Sequence, residues 1–193
     1  MRIAGAIIAG GRSSRMDGNE KLFLELGNAR LLDRLLARLS CQTDCAIINA
    51  NGDPARFAGF TVVPDIRTDI STPLAGLHAV LSWSLDRNFD AVLSVPSDAP
   101  FLPYDLLARL RDHGPAIAAS GGQEHYLTGF WPVTLAPVMV QAVNSGIYRV
   151  KDWAKLTKAR IVEWPVLPHD PFFNINTPED LAEARRFAAQ SEP

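Results

Sequence analysis

The stretch "IIAGGRSSRMDGNEK", residues 7–21, runs an apolar segment into two glycines, two hydroxyls, an arginine and a lysine. Gly10 and Gly11 let the backbone turn tightly and present N–H groups to an anion with no Cβ in the way. Ser13 and Ser14 add hydroxyl donors, and Arg15 and Lys21 add positive charge. Together they could cradle a triphosphate, although the spacing is neither the GxxxxGK[ST] phosphate loop nor the GxGxxG dinucleotide fingerprint. The alternative is a glycine-rich turn with surface charges.

A second group with chemical potential lies in "PSDAP", where Asp98 sits between two prolines that fix the backbone. A carboxylate at the end of a buried strand is costly without a cation or water. Mg²⁺ would supply that cation, since it takes one or two carboxylates together with phosphate oxygens. The competing reading is a turn aspartate, or a cap for the helix expected near residue 103. Asp65, after "FTVVPD", could equally be a loop residue. In "PLAG", Gly76 falls inside the first turns of a helix opened by Pro73. A glycine there weakens a helix by roughly 1 kcal/mol relative to alanine, so either a ligand or a second backbone must approach closely. The four histidines, 78, 113, 125 and 169, form no HxH or HExxH pattern. His78 and His113 read as surface or packing residues. His125 precedes a strand and could pack there or face a cleft. Cys41 and Cys45 have CxxxC spacing without a nearby histidine to complete a zinc set, which points to helical packing.

These groups must be positioned by a scaffold, and the chain has the size for one. It has 193 residues, 47% hydrophobic and 21% charged, with a formal net charge of −2. That balance gives no global attraction to nucleic acid or to an anionic membrane, so any anion site is local. The apolar start is too short for a membrane span and lacks a signal-peptide pattern, and two cysteines do not make a disulfide framework. A cytoplasmic location is expected. Residues 3–9, 45–51 and 60–65 read as strands, 91–100 as a fourth strand with its exit loop, followed by "AIAAS", "YLTGFWPV" and 159–166. Leucines 31, 32, 35, 36 and 39 recur at helical spacing. Helices are also expected over 71–85, with Leu74, Leu77, Leu81 and Leu85 on one face, and over 102–113, with Pro103 in its first turn. Further helices are expected over 134–143 and 147–157, and after Thr177, an N-cap followed by Pro178 at the first position. Strands alternating with helices over short loops predict a single α/β domain with a mainly parallel sheet. In such sheets ligands bind beyond the carboxyl ends of the strands. Gly10, Gly11, Asn49, Asn51, Asp65 and Asp98 all fall at predicted strand ends.

Taken in order, "IAGGRSSRMDGNEK", "NAN" (49–51), "VPD" (63–65), "PLAG" (73–76), "PSDAP" (96–100) and "NINTPEDL" (174–181) resemble the molybdenum cofactor guanylyltransferases over about residues 3–185. The resemblance implies a Rossmann-like three-layer domain of the nucleotide-diphospho-sugar transferase type. Its GTP-binding part would span about 1–100 and its acceptor-binding part about 101–185. It implies Mg²⁺-dependent transfer of GMP from GTP to the phosphate of molybdopterin, with release of pyrophosphate. By position, Ile8, Ala9 and Gly10 would line the guanine nucleotide, and Gly11, Arg15 and Lys21 would meet the phosphates. Asn49 and Asp65 would hold the nucleoside, with Gly76 in the same nucleotide-binding set. Asp98 would bind Mg²⁺, while Asn174 and Asn176 would face the pterin. Catalysis would rest on Lys21, Arg15 and Asp98.

Three departures from the family pattern stand out: Asp17 replaces glycine, Glu20 replaces aspartate and Ile8 replaces leucine. Related enzymes acting on CTP or a sugar phosphate tend to read "AAG" where this chain reads "AGG", and are the nearest rival. A catalytically silent nucleotide-binding regulator is the other. The resemblance also leaves room for protein partners in cofactor synthesis or molybdoenzyme maturation, which the residues themselves do not identify.

Overall fold

The computed structural model describes residues 1–10 and 21–191. A seven-stranded sheet forms its middle layer. The strands are β1 (Ile3–Ile8), β4 (Cys45–Asn49), β5 (Thr61–Val63), β6 (Ala91–Pro96), β7 (Ala116–Ser120), β8 (Gln123–Pro132) and β9 (Arg160–Trp164), in the order β5-β4-β1-β6-β8-β7-β9. A separate two-stranded ribbon pairs β2 (Glu25–Leu26) with β3 (Ala29–Arg30). In the main sheet β5, β4, β1 and β6 pair in parallel, as do β7 and β9. β8 is antiparallel to both its neighbours. The sheet is therefore mainly parallel, as the alternating elements predict.

β1 shows how the sequence makes three layers. All six of its residues are buried. Ile3 and Ile7 point into one core and Ala4, Ala6 and Ile8 into the other, because successive side chains leave opposite faces. The first core is closed by α1 (Leu31–Ser40), α3 (Leu106–Leu110) and α6 (Pro178–Ser191). The five leucines of α1 that recur at helical spacing are its buried face, each contributing roughly 1.5–3 kcal/mol by leaving water. The second core is closed by α2 (Pro73–Leu85), α4 (Ala136–Asn144) and α5 (Val150–Leu156).

Several local expectations need correcting. α2 is buried nearly all round rather than along one leucine face, and Leu85 is exposed. The helix expected over 102–113 begins only at Leu106, beyond the reach of Pro103. Gln42 is the reason: its Oε1 accepts from the Leu107 N–H at 3.0 Å and its Nε2 donates to the Pro103 carbonyl at 3.1 Å. The start of α3 is thus capped from a distant segment. Asp98 caps no helix, because the residue at the α3 N-cap is Asp105. Cys41 is exposed just past α1 and Cys45 opens β4, so neither packs within a helix. The Thr177 N-cap is as expected, with Asp180 N–H bonded to its hydroxyl at 3.1 Å and the Asp180 carboxylate accepting from Thr177 N at 2.8 Å.

Candidate active site

The order of the central strands creates a crevice. The chain runs outward from β1 to β4 and β5, then returns to place β6 on the other side of β1. The carboxyl ends of these strands meet at that reversal, where open α/β sheets bind ligands. Two groups of residues gather there.

The first group joins β1, β4 and β5. Asn49 is fully buried. Its carbonyl accepts from the Gly10 N–H at 3.2 Å, and its amide donates to the Val63 carbonyl at 3.0 Å and to an Asp65 oxygen at 2.8 Å. The other Asp65 oxygen accepts from Asn51 at 2.8 Å, and Asn51 in return accepts from the Asp65 N–H at 2.9 Å. A Cβ at Gly10 would lie 2.7 Å from Asn49 Oδ1. One at Gly76 would lie 2.1 Å from the same atom and 2.9 Å from Ile8 Cγ2. Gly10 and Gly76 are therefore the two walls between which the Asn49 amide is held. This packing demands glycine at position 10 whichever base is bound. The Ile8 side chain is turned into the core, so only its backbone is free to face a nucleotide.

The second group joins β6 to the segment before α6. Lys21 is buried, yet its ammonium donates to the Ile175 carbonyl at 3.1 Å and to Asn176 Oδ1 at 3.4 Å. The Ile175 N–H in turn donates to the Asp98 carbonyl at 2.9 Å. Burial pushes the Asp98 carboxyl above the usual carboxylate range, and the positive charge of Lys21 pulls it partway back. The structure thus brings Lys21, Asp98 and Asn176 together from segments more than 75 residues apart. Gly11, Ser13, Ser14, Arg15, Asp17 and Glu20 lie outside the described residues.

Beside this group opens a cavity of about 460 Å³, lined in part by Asp98, Asn174, His125, Tyr126, Arg149 and Lys151. That is room for a small organic ligand. Its wall depends on β8. The pairing of β7 with β8 runs Ile117 to Gly129 and then Ala118 to His125, so Tyr126, Leu127 and Thr128 are extra residues that bulge from the ladder. Bulges of this kind re-aim side chains, and all three line the cavity. Ser94 holds the bulge by donating to the Leu127 carbonyl at 2.7 Å. The β7–β8 connection is a two-residue turn at Gly121 and Gly122, both with positive φ. His125 lies inside β8 and lines the cavity, which settles where it faces. Tyr126, Arg149 and Lys151 carry no motif. The adjacent glycines were the one signal that could have placed the start of β8 at Gln123.

Asp98 is the residue of this arrangement that could hold a cation. It is a hard oxygen donor, partly buried, with no ion-pair partner among the described residues. No group of three or more acidic, histidine or cysteine residues that could hold a metal occurs among the described residues. A metal here would need the remaining oxygens from substrate and water, as Mg²⁺ sites commonly do.

A buried lysine and a lone carboxylate at the switch point of a mostly parallel sheet suit the handling of phosphates, and the comparisons give the class. The MobA-like NTP transferase domain matches residues 5–160, so the protein is a nucleotidyltransferase. The molybdenum cofactor guanylyltransferase of Bradyrhizobium sp. (strain ORS 278) is 44% identical over 98% of this chain and 95% of its own length. That of Rhodobacter capsulatus is 40% identical over the whole of both chains. The chain belongs to the molybdenum cofactor guanylyltransferase family and is an enzyme of that type, which sets aside a silent regulator. Among solved structures, the molybdopterin-guanine dinucleotide biosynthesis protein A of Archaeoglobus fulgidus has a TM-score of 0.69 at 21% identity, covering 98% of this chain and 100% of that one. A 4-diphosphocytidyl-2C-methyl-D-erythritol synthase from Anaerococcus prevotii has a TM-score of 0.73 at 14% identity, covering 97% and 96%. These likenesses show the shared fold.

Proposed function

We propose that the protein transfers GMP from GTP to the phosphate of molybdopterin and releases pyrophosphate. The observation that carries this reading is the position of Lys21. It ends the glycine-rich segment, on which a triphosphate would lie, and its ammonium is fastened to the Ile175 carbonyl and the Asn176 side chain, which directly follow Asn174 of the cavity wall. A nucleotide on one side and an acceptor on the other would therefore meet beside Asp98. The name of the relatives, molybdenum cofactor guanylyltransferase, supports transfer of a guanylyl group to the cofactor.

The chemistry asks little of the protein beyond placement and charge. An oxygen of the acceptor phosphate attacks the α-phosphorus in line, and the bond from that phosphorus to the oxygen leading to the β-phosphorus breaks. Pyrophosphate carries the electron pair away. The attacking phosphate is already an anion, so no general base is needed. Lys21, with Arg15, would neutralise charge on the departing group, Asn174 in the cavity wall would orient the acceptor, and Asn176, which would also face it, holds the Lys21 ammonium. Asp98 would hold Mg²⁺, which when bound offsets negative charge on the phosphate oxygens.

The test is a product assay with purified protein, molybdopterin and each of GTP, CTP, ATP and UTP, with and without Mg²⁺. The guanine dinucleotide and pyrophosphate are expected from GTP and Mg²⁺ alone. Equal use of CTP would remove the guanine assignment, and equal rates in chelator would remove the metal.

A further inference from the structure

His125 is held by a chain of hydrogen bonds that the transfer reaction does not use. Ser120 Oγ lies 2.7 Å from His125 Nε2 and donates to Asp170 Oδ1 at 2.8 Å. Asp170 is itself fixed, because the same oxygen accepts from the Phe172 N–H at 2.9 Å. The order is carboxylate, hydroxyl, imidazole, unlike the carboxylate, imidazole, hydroxyl order of a nucleophilic triad. Ser120 is moreover 2% exposed, so it is not an attacking group. What the chain does is set a tautomer. A serine hydroxyl has one proton, and the carboxylate can only accept. With that proton given to Asp170, the bond between Ser120 and His125 needs a proton on Nε2. The neutral ring then has a lone pair on Nδ1. Burial keeps the ring's pKa below the ordinary histidine value, against the opposing pull of Asp170 and Glu163, so the neutral form prevails at pH 7.

The ring's surroundings say where that lone pair is used. One face packs on Phe172, with centroids 4.8 Å apart. The residue is half-buried in the cavity wall. Nδ1 makes no hydrogen bond among the described residues and is not among their buried, unpartnered atoms, so it is accessible on a residue that lines the cavity.

We propose that His125 is a specificity-determining contact for the acceptor, whose planar heteroaromatic ring presents an N–H edge to the Nδ1 lone pair, with Ser120 and Asp170 as positioning residues. This rests on the cavity being the acceptor site of the proposed transfer. A site built to accept from an N–H group discriminates strongly against rings lacking one.

The experiment uses the full chain with ¹⁵N-labelled histidine. Long-range ¹⁵N–¹H correlation at neutral pH is expected to show His125 as the Nε2–H tautomer, and Ser120→Ala to lose that preference. Steady-state kinetics would follow. His125→Phe is expected to raise the acceptor KM by about tenfold or more, and Ser120→Ala by a few-fold, while the GTP KM stays within about twofold. His125→Asn, which places an amide oxygen near the former Nδ1, is expected to recover part of the loss. An Nδ1–H tautomer in the wild type, or an unchanged acceptor KM in His125→Phe, would overturn the proposal. If the wild type makes no product, the transfer reading fails separately. Binding of a free pterin, followed by fluorescence, then decides: equal affinity in wild type and His125→Phe overturns the contact, and a tenfold loss supports it.

Discussion

The carboxyl ends of β1, β4 and β5 and the carboxyl end of β6 lie side by side in one sheet, yet they treat their polar groups in opposite ways. In the first region the fold consumes them. Asn49 spends its carbonyl and amide on Gly10, Val63 and Asp65, and Asp65 has an amide donor on each oxygen. In the second region Lys21 is tied to Ile175 and Asn176, but other groups are left over. Among the described residues the Asp98 carboxylate has no ion-pair partner, His125 Nδ1 makes no hydrogen bond, and the Arg149 guanidinium makes no ion pair. Both regions hold residues of the sequence motif. The difference teaches that a motif residue at a strand end is of one of two kinds, one shaping the loop that meets the ligand and one meeting it.

The contrast breaks most visibly at Asp98. Asp98→Asn is expected to lower product formation by at least ~100-fold at saturating substrates, because it removes the charge placed where phosphate charge must be offset. Its stability is expected to be unchanged or slightly higher, since burial already disfavours the carboxylate there. Turnover and urea unfolding of the same preparation check both halves. A variant that is destabilised yet active would put Asp98 in the first region rather than the second.

The converse substitution is Gly76→Ala. In an ordinary helix the change would stabilise by roughly 1 kcal/mol. Here the new Cβ would sit 2.1 Å from Asn49 Oδ1, and overpacking of this kind costs about 1–3 kcal/mol. The net effect is expected to be destabilising. Asn49→Ala, which strips partners from Gly10, Val63 and Asp65, is expected to cost a similar ~1–3 kcal/mol. The double variant should lose less than the two single losses combined, because the severest clash, with the Asn49 amide, disappears with its target. Chemical denaturation measures all three. Full additivity, or a Gly76→Ala protein more stable than the wild type, would mean that the cluster is loosely packed.

What could be read in the sequence follows the same division. The apolar run of β1, the leucines of α1 and the Thr177 cap obey local rules, so their elements stand where the pattern puts them. The positions of Gly10, Asn49, Asp65 and Asp98 at strand ends were legible for the same reason. The start of α3 was not, because Gln42 caps it from another part of the chain. Nor was the placement of β8 between β6 and β7, which depends on pairing partners rather than on any local preference. The cavity wall was least legible of all. His125, Tyr126, Arg149 and Lys151 meet only after the bulge in β8 has formed and α5 has packed beside it. Residues that a ligand touches gather by tertiary contact, and short motifs record mainly the backbone that awaits them.

The smallest expected effect concerns a buried histidine of the first region. His78 lies two positions beyond Gly76 on α2, and its Nδ1 has no partner among the described residues. Burial, with a further push from Arg67, holds its pKa below the ordinary histidine value. The unfolded chain therefore takes up a proton at a pH where the folded protein does not. Stability from this group is complete well above about pH 6.5 and declines as pH falls below it, levelling once the folded state also titrates. His125 and His169 are shifted the same way and give slopes of the same sign. Replacing His78 by leucine should remove only its share, at most about 1.4 kcal/mol between pH 7.5 and 5.5. Urea unfolding of both proteins at the two pH values measures that difference, whatever the substitution does to stability itself. An identical pH dependence in the variant would show that His78 protonates as readily in the folded protein as in the unfolded one.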